Sequence, residues 1–131
     1  YISITPNNYY YKNKSQLPKI IIIDKNDKSI HRYQFDLPSE KRAGKPSDVN
    51  KIVWLEFSEQ FYGNYGDVTK GYIEHCNITV IDKNNNSIIS KNSLSGVPRD
   101  KISYKRRAGK PEKRVFRVNS KRIINYILSN V

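Results

Sequence analysis

Two stretches of the chain carry β-structure patterns, one an alternation of apolar and polar residues and the other a short continuous apolar run, the pattern of a strand buried on both faces. In 71–94, Cys76, Ile78 and Val80 alternate with His75, Asn77 and Thr79, the period of two that puts successive side chains on opposite faces of a strand. A polar turn, Asp82-Lys-Asn-Asn-Asn86, and a return run through Ser87-Ile-Ile-Ser90 make this a hairpin. An earlier stretch, Ile20-Ile-Ile-Ile-Asp24 followed by Lys25-Asn-Asp-Lys28 and Ser29-Ile30, repeats its core almost residue for residue. Asn and Asp tolerate left-handed backbone and bond to their own main chain, so both polar pieces read as turns.

The remaining apolar runs complete a sheet. Ile30, Tyr33 and Phe35 mark a return strand from the first turn, ended at Leu37-Pro38 because proline cannot donate to a ladder. Lys51-Ile-Val-Trp-Leu-Glu-Phe57 is apolar at both parities and reads as a central strand with Trp54 as a core anchor. Residues 58–70 contain Phe61-Tyr62-Gly63-Asn64-Tyr65-Gly66, read as an aromatic, glycine-rich recognition loop, or a corner that buries its own aromatics. Gly96-Val-Pro98 stops the second return strand. The chain closes with a helix: Asn119 or Ser120 caps it, and Ile123, Ile124, Ile127, Leu128 and Val131 share one face.

These elements predict an α+β domain: an antiparallel β-sheet of about five to six strands, built on two hairpins, with a C-terminal amphipathic helix packed on one face. Residues 1–16 form an extended N-terminal arm or edge strand, and 17–131 a single domain. The core is expected to hold Ile21, Ile23, Val53, Trp54, Leu55, Ile78, Val80, Ile124, Ile127 and Leu128. A second repeat, Arg42-Ala-Gly-Lys-Pro46 and Arg107-Ala-Gly-Lys-Pro111, leaves room for two related halves. Convergent turn chemistry in a lysine- and asparagine-rich chain is the simpler account.

Composition adds size, charge and a list of exclusions. A chain of 131 residues is one ordinary domain. It has no methionine and is expected to be a processed mature protein or a piece of a longer one. No apolar run approaches the roughly 18–20 residues that span a bilayer. A leader or anchor upstream of Tyr1 would make the protein membrane-associated or extracytoplasmic; the compartment is otherwise open. The lone cysteine, Cys76, cannot form an intrachain disulfide and reads as a buried small hydrophobe rather than a reactive thiol.

The net charge of +12 is concentrated: residues 99–122 hold eleven Lys or Arg against Asp100 and Glu112, contributing +9 of it. Candidate binding residues are therefore Arg99, Lys101, Lys105, Arg106, Arg107, Lys110, Lys113 and Arg114, with Tyr104 and Phe116 interleaved. The candidate recognition loop contributes Phe61, Tyr62 and Tyr65. Tyr9, Tyr10 and Tyr11 are either a stacking platform or a half-buried lid on the sheet. Such a basic, aromatic pairing suits an acidic protein partner, a phosphate backbone with stacked bases, or anionic lipid head groups. No helix-turn-helix, zinc finger or RNP-type aromatic pair is present.

Catalytic constellations are not apparent. His31 and His75 sit in predicted strands without metal-ligand spacing, and neither a nucleophile elbow nor a phosphate loop occurs. Glu56, Glu59, Asp67 and Glu74 are the only acids placed to gather for acid–base work, and scattered surface acids are commoner. The sequence thus reads as a non-catalytic binding or assembly module that docks a protein partner through the basic segment and the aromatic loop. Sequence-nonspecific nucleic-acid binding through 99–117 and association with an anionic membrane surface are the alternatives; no metal or cofactor is expected.

Six pieces in this order, Tyr33-Gln-Phe-Asp-Leu-Pro38, Val53-Trp-Leu-Glu-Phe57, Gly63-Asn-Tyr65, Cys76-Asn-Ile-Thr-Val-Ile-Asp82, Ser87-Ile-Ile89 and Gly96-Val-Pro98, carry a resemblance. Together they resemble an uncharacterised family of bacterial domains, often found in membrane-anchored proteins and without known function. The shared pattern is a strand ending Val-Ile-Asp, a turn, a return strand, Gly-x-x-Pro and a terminal helix, and it covers 20–131. The resemblance implies the same α+β fold and brings no catalytic residue or ligand. The chain departs from the pattern at Asn86, where a turn glycine is usual, and in having one proline where two are common.

Overall fold

The computed structural model describes residues 18–66, 68–100 and 112–131. The predicted N-terminal arm 1–16 lies outside the described residues. Six described strands form one mixed, mostly antiparallel sheet: β1 (Ile20–Asp24), β2 (Ser29–Ile30), β3 (Lys51–Tyr65), β4 (Thr69–Asp82), β5 (Ser87–Ser95) and β6 (Glu112–Phe116). The order is β2-β1-β3-β4-β5, with β6 beside β4 beyond the end of β5. Among the described residues one α-helix, α1 (Ser120–Ser129), packs across the sheet. The α+β architecture with a C-terminal helix on one face is thus as the sequence implies. Two pairings, β1–β3 and β4–β6, are parallel rather than antiparallel.

The two repeated turns have matching geometry. Asp24 accepts from the Asn26 N–H (2.8 Å) and Asp82 from the Asn84 N–H (2.9 Å). Lys28 and Asn86 both take left-handed backbone (φ 59° and 53°). The halves diverge immediately afterwards. β5 runs nine residues, whereas β2 ends after two and the chain enters a 3-10 turn at Arg32–Asp36.

That turn replaces the return strand expected through Tyr33 and Phe35. His31 Nδ1 accepts from the Tyr33 N–H (3.1 Å) and starts the turn. The buried Gln34 amide then does a strand's work on the edge of β1: its Oε1 accepts from the Ile22 N–H (2.8 Å) and its Nε2 donates to the Ile20 carbonyl (2.9 Å). Asn26 does the same for β3, bonding both the N–H and the carbonyl of Phe57.

The helix decides which face is core. Ile123 and Ile127, four residues apart, are fully buried against Ile20, Ile22, Val53, Leu55, Cys76, Ile78 and Val80. Asn119 is the cap, accepting from the Lys121 N–H (2.9 Å), and the Tyr126 hydroxyl pairs with Ser90 on β5. Val53, Leu55, Ile78, Val80 and Ile127 are core as expected, and Ile124 and Leu128 pack partly buried at its margin. Three expected core residues are corrected. Ile21, Ile23 and Trp54 have the opposite parity to Ile20, Ile22, Val53 and Leu55 and lie partly buried on the face away from the helix. Apolar residues at both parities mark β3 as central in the sheet plane, but no described element covers its second face.

Candidate binding surfaces

The predicted aromatic loop is a strand. β3 and β4 form one long hairpin whose residues pair from Lys51–Asp82 to Tyr65–Thr69, closed at Gly66 with φ 77°. A bulge at Tyr62, between the Phe61–Tyr72 and Gly63–Gly71 pairs, shifts the register so that following side chains change face. Phe61 stands on the helix side against Tyr72, edge to face at 5.6 Å. Tyr65 stands on the other side, stacked at 6.5 Å with Tyr62 and 5.8 Å from the Phe116 ring.

Glycine makes room for that arrangement. A Cβ at Gly71 would meet the Tyr65 ring at 2.4 Å, so only glycine lets the ring lie across β4. The Tyr65 hydroxyl donates to the Arg99 carbonyl, tying the ribbon to the chain beyond β5. Partial loss of water around Tyr65, with Tyr62 and Asp100 close by, raises its phenol above the ordinary value. Phe61 and Tyr62 remain 50% and 48% exposed, whereas Tyr65 is partly buried.

Of the candidate cations, Lys101, Lys105, Arg106, Arg107 and Lys110 lie outside the described residues. Arg99 is exposed just past β5. Lys113 and Arg114 are on β6, a strand rather than a basic loop, because 112–116 pairs in parallel with 69–73. Lys113 ion-pairs with Glu59 at 2.5 Å and sits 4.9 Å over the Tyr72 ring. Arg114 is partly buried opposite Gly71. β6 thus brings Lys113 to the Phe61–Tyr72 pair, which sequence spacing could not show.

Two of the four acids, Glu59 and Glu74, are held by neighbours. Glu59 and Glu74 face each other across β3 and β4. Glu59 is paired with Lys113, and Glu74 accepts from the Arg117 guanidinium (3.2 Å) and the Val118 N–H (3.0 Å), fixing the chain as it enters α1. Glu56 lies opposite Asn77, and Asp67 is outside the described residues. Glu74 and Arg117 also line a cleft of about 300 Å³ with His31, Arg32, Tyr33 and Phe57. Burial lowers the His31 imidazole below its ordinary value, and stacking 5.4 Å from Phe57 holds the ring. His75 is bonded to Ser95 (2.6 Å) and Gln60 (2.9 Å). Cys76 is fully buried, its thiol pushed up to about 12 by that burial. Among the described residues no group of three or more His, Cys, Asp or Glu stands ready for a metal ion, and no helix is long and apolar enough to cross a membrane.

The second surface is one that sequence reasoning missed. On the face away from α1 two rows of side chains cross the sheet in register. One is Ile30–Ile23–Trp54–Thr79–Lys91 and the other Ile21–Ile52–Ile81–Ile88. Ile23, Trp54, Thr79, Ile81 and Ile88 of these rows line a shallow depression of about 470 Å³ with Lys25, Lys28 and Lys91 at its rim. The signal was present in the apolar residues that β1 and β3 carry at both parities, but such strands are ordinarily covered on both faces.

Comparison of the chain with protein-family models, with curated proteins and with solved structures returned no match. The resemblance to bacterial membrane-associated domains therefore rests on the six quoted motif pieces alone.

Proposed function

We propose that the protein is a non-catalytic docking module that binds a protein partner through the aromatic end of the β3–β4 ribbon and the basic segment 99–117. One observation carries this reading: Phe61 and Tyr62 are half exposed on the two opposite faces of one paired strand. Aromatic side chains held rigidly give contact area at low entropic cost and anchor many protein interfaces. Lys113 supports a protein partner over a phosphate backbone, because its ammonium is engaged by Glu59 and by the Tyr72 ring.

The test is affinity capture with the full chain at about 0.3 M salt, where exposed charges are screened within several ångströms. A partner held by the aromatic pair is retained there and lost from a Phe61→Ser, Tyr62→Ser double variant whose circular dichroism is unchanged. Equal capture by the variant overturns the reading. Binding to a single-stranded oligonucleotide or to phosphatidylglycerol vesicles that collapses with salt, with no protein retained, would replace it with one of the electrostatic alternatives.

A further inference from the structure

We infer that the open sheet face, separate from the aromatic ribbon, is a docking site for an acidic amphipathic helix of a partner protein. Its core is the single tryptophan, Trp54, flanked in register by Ile23 on β1 and Thr79 on β4, with Ile52 and Ile81 in the next row. Ile30 and Ile88 close the band at 58% and 57% exposure. Exposed Ile30 and Ile88 at the two edges, with the partly exposed Ile23, Ile52, Trp54 and Ile81 between them, make a continuous apolar band, a feature that soluble proteins use for binding.

Shape narrows the occupant. Same-face residues on a strand are about 7 Å apart and neighbouring strands about 4.8 Å, so the band is two rows wide and about 19 Å long. That length matches about thirteen residues of α-helix, and the width matches one apolar stripe. Beyond the band the next row turns polar: Glu56 opposite Asn77, and Asn77 opposite Ser93. The molecule already covers its other face with a helix, α1, by inserting Ile123 and Ile127.

Charge fixes the rest. The depression is rimmed by Lys25 and Lys28 at one end and Lys91 at the other, with no carboxylate among the residues that line it. A second copy of this chain would bring three more lysines and a net charge of +12 against them. Two stretches of the chain lie outside the described residues at length; 1–17 carries Lys12 and Lys14, 101–111 carries Lys101, Lys105, Arg106, Arg107 and Lys110, and neither contains an acid. Like charges across an interface disfavour all three occupants. A helix with glutamates flanking a leucine stripe satisfies both the apolar band and the lysine rim.

Because Trp54 is the only tryptophan, its fluorescence reads the site directly in the unmodified chain. The probe is a synthetic helical peptide with leucine at i, i+3, i+4 and i+7 and glutamate beside the stripe. It should shift Trp54 emission to the blue with saturation. Triple reversal Lys25→Glu, Lys28→Glu, Lys91→Glu, at three exposed positions, should weaken it about tenfold or more and let the lysine-flanked version of the peptide bind instead. The Phe61→Ser, Tyr62→Ser variant should bind the peptide normally, which separates this site from the ribbon. No emission change with the acidic peptide, an unchanged affinity after charge reversal, or an equal response to a scrambled peptide overturns the inference. So does a Trp54 that becomes exposed only on deleting 1–17 or on diluting a dimer, since its cover is then the chain itself. A response to phosphatidylglycerol vesicles without one to the peptide overturns it as well.

Discussion

Gly96 is the residue with the least freedom to change. It follows β5 where the chain passes the end of β6, and its N–H donates to the Glu74 carbonyl at 2.9 Å. A Cβ there would lie 1.9 Å from the Phe116 carbonyl oxygen and 2.6 Å from its carbon, both backbone atoms that cannot rotate aside. Gly96→Ala should therefore cost about 3 kcal/mol, the scale of overpacking against a fixed wall. Gly44, whose added Cβ would meet nothing nearer than 3.9 Å, is the control: Gly44→Ala should be neutral or slightly stabilising. Urea denaturation of both variants checks the contrast, and equal stabilities would mean that β6 does not run where it is placed. Gly71 differs from Gly96 because its close neighbour is the Tyr65 ring, which can move.

At the scale of elements, short strands are completed by side-chain amides. β1 has only a two-residue partner on its outer edge, and Gln34 covers the next position from inside the 3-10 turn. Gln34→Leu keeps the volume but leaves the Ile22 N–H buried without an acceptor, a loss of about 2 kcal/mol. Hydrogen exchange should speed up at Ile22 specifically; unchanged exchange there would show that the amide is not the edge cover. This substitution of side chain for strand also explains why residues 31–36 carry a strand-like pattern without forming a strand. Tyr33, Gln34 and Phe35 have strand composition, and only the buried amide and the His31 cap show otherwise. The β4–β5 hairpin, the helix with its Asn119 cap, and the central place of β3 were legible because each has a local pattern. The aromatic segment looked like a loop because its glycines suggest one, while its strand character comes from pairing with β4. The position of 112–116 beside β4 is a contact between residues more than forty apart, with no local trace.

For the whole molecule, the sheet is two-sided and the helix covers only one side. Periodicity located the apolar residues of β1 and β3 correctly but could not say which parity the helix would choose. It chose Ile20, Ile22, Val53 and Leu55, and left Trp54 outward. That choice makes the tryptophan a surface reporter instead of the core anchor expected of it, and it creates the lysine-rimmed band. Both proposed binding surfaces follow from the same hairpin: its proximal half carries Trp54 on the open face, and its distal half carries Phe61 and Tyr62.

The most direct measurement is collisional quenching of Trp54 in the free protein by iodide and by caesium at low ionic strength. Trp54 on an open face among Lys25, Lys28 and Lys91 should be accessible to both ions and quenched more strongly by iodide, which the lysines concentrate, with the difference shrinking as salt screens them. A tryptophan that emits in the blue and resists both quenchers would be buried, and the one-sided sheet would be wrong.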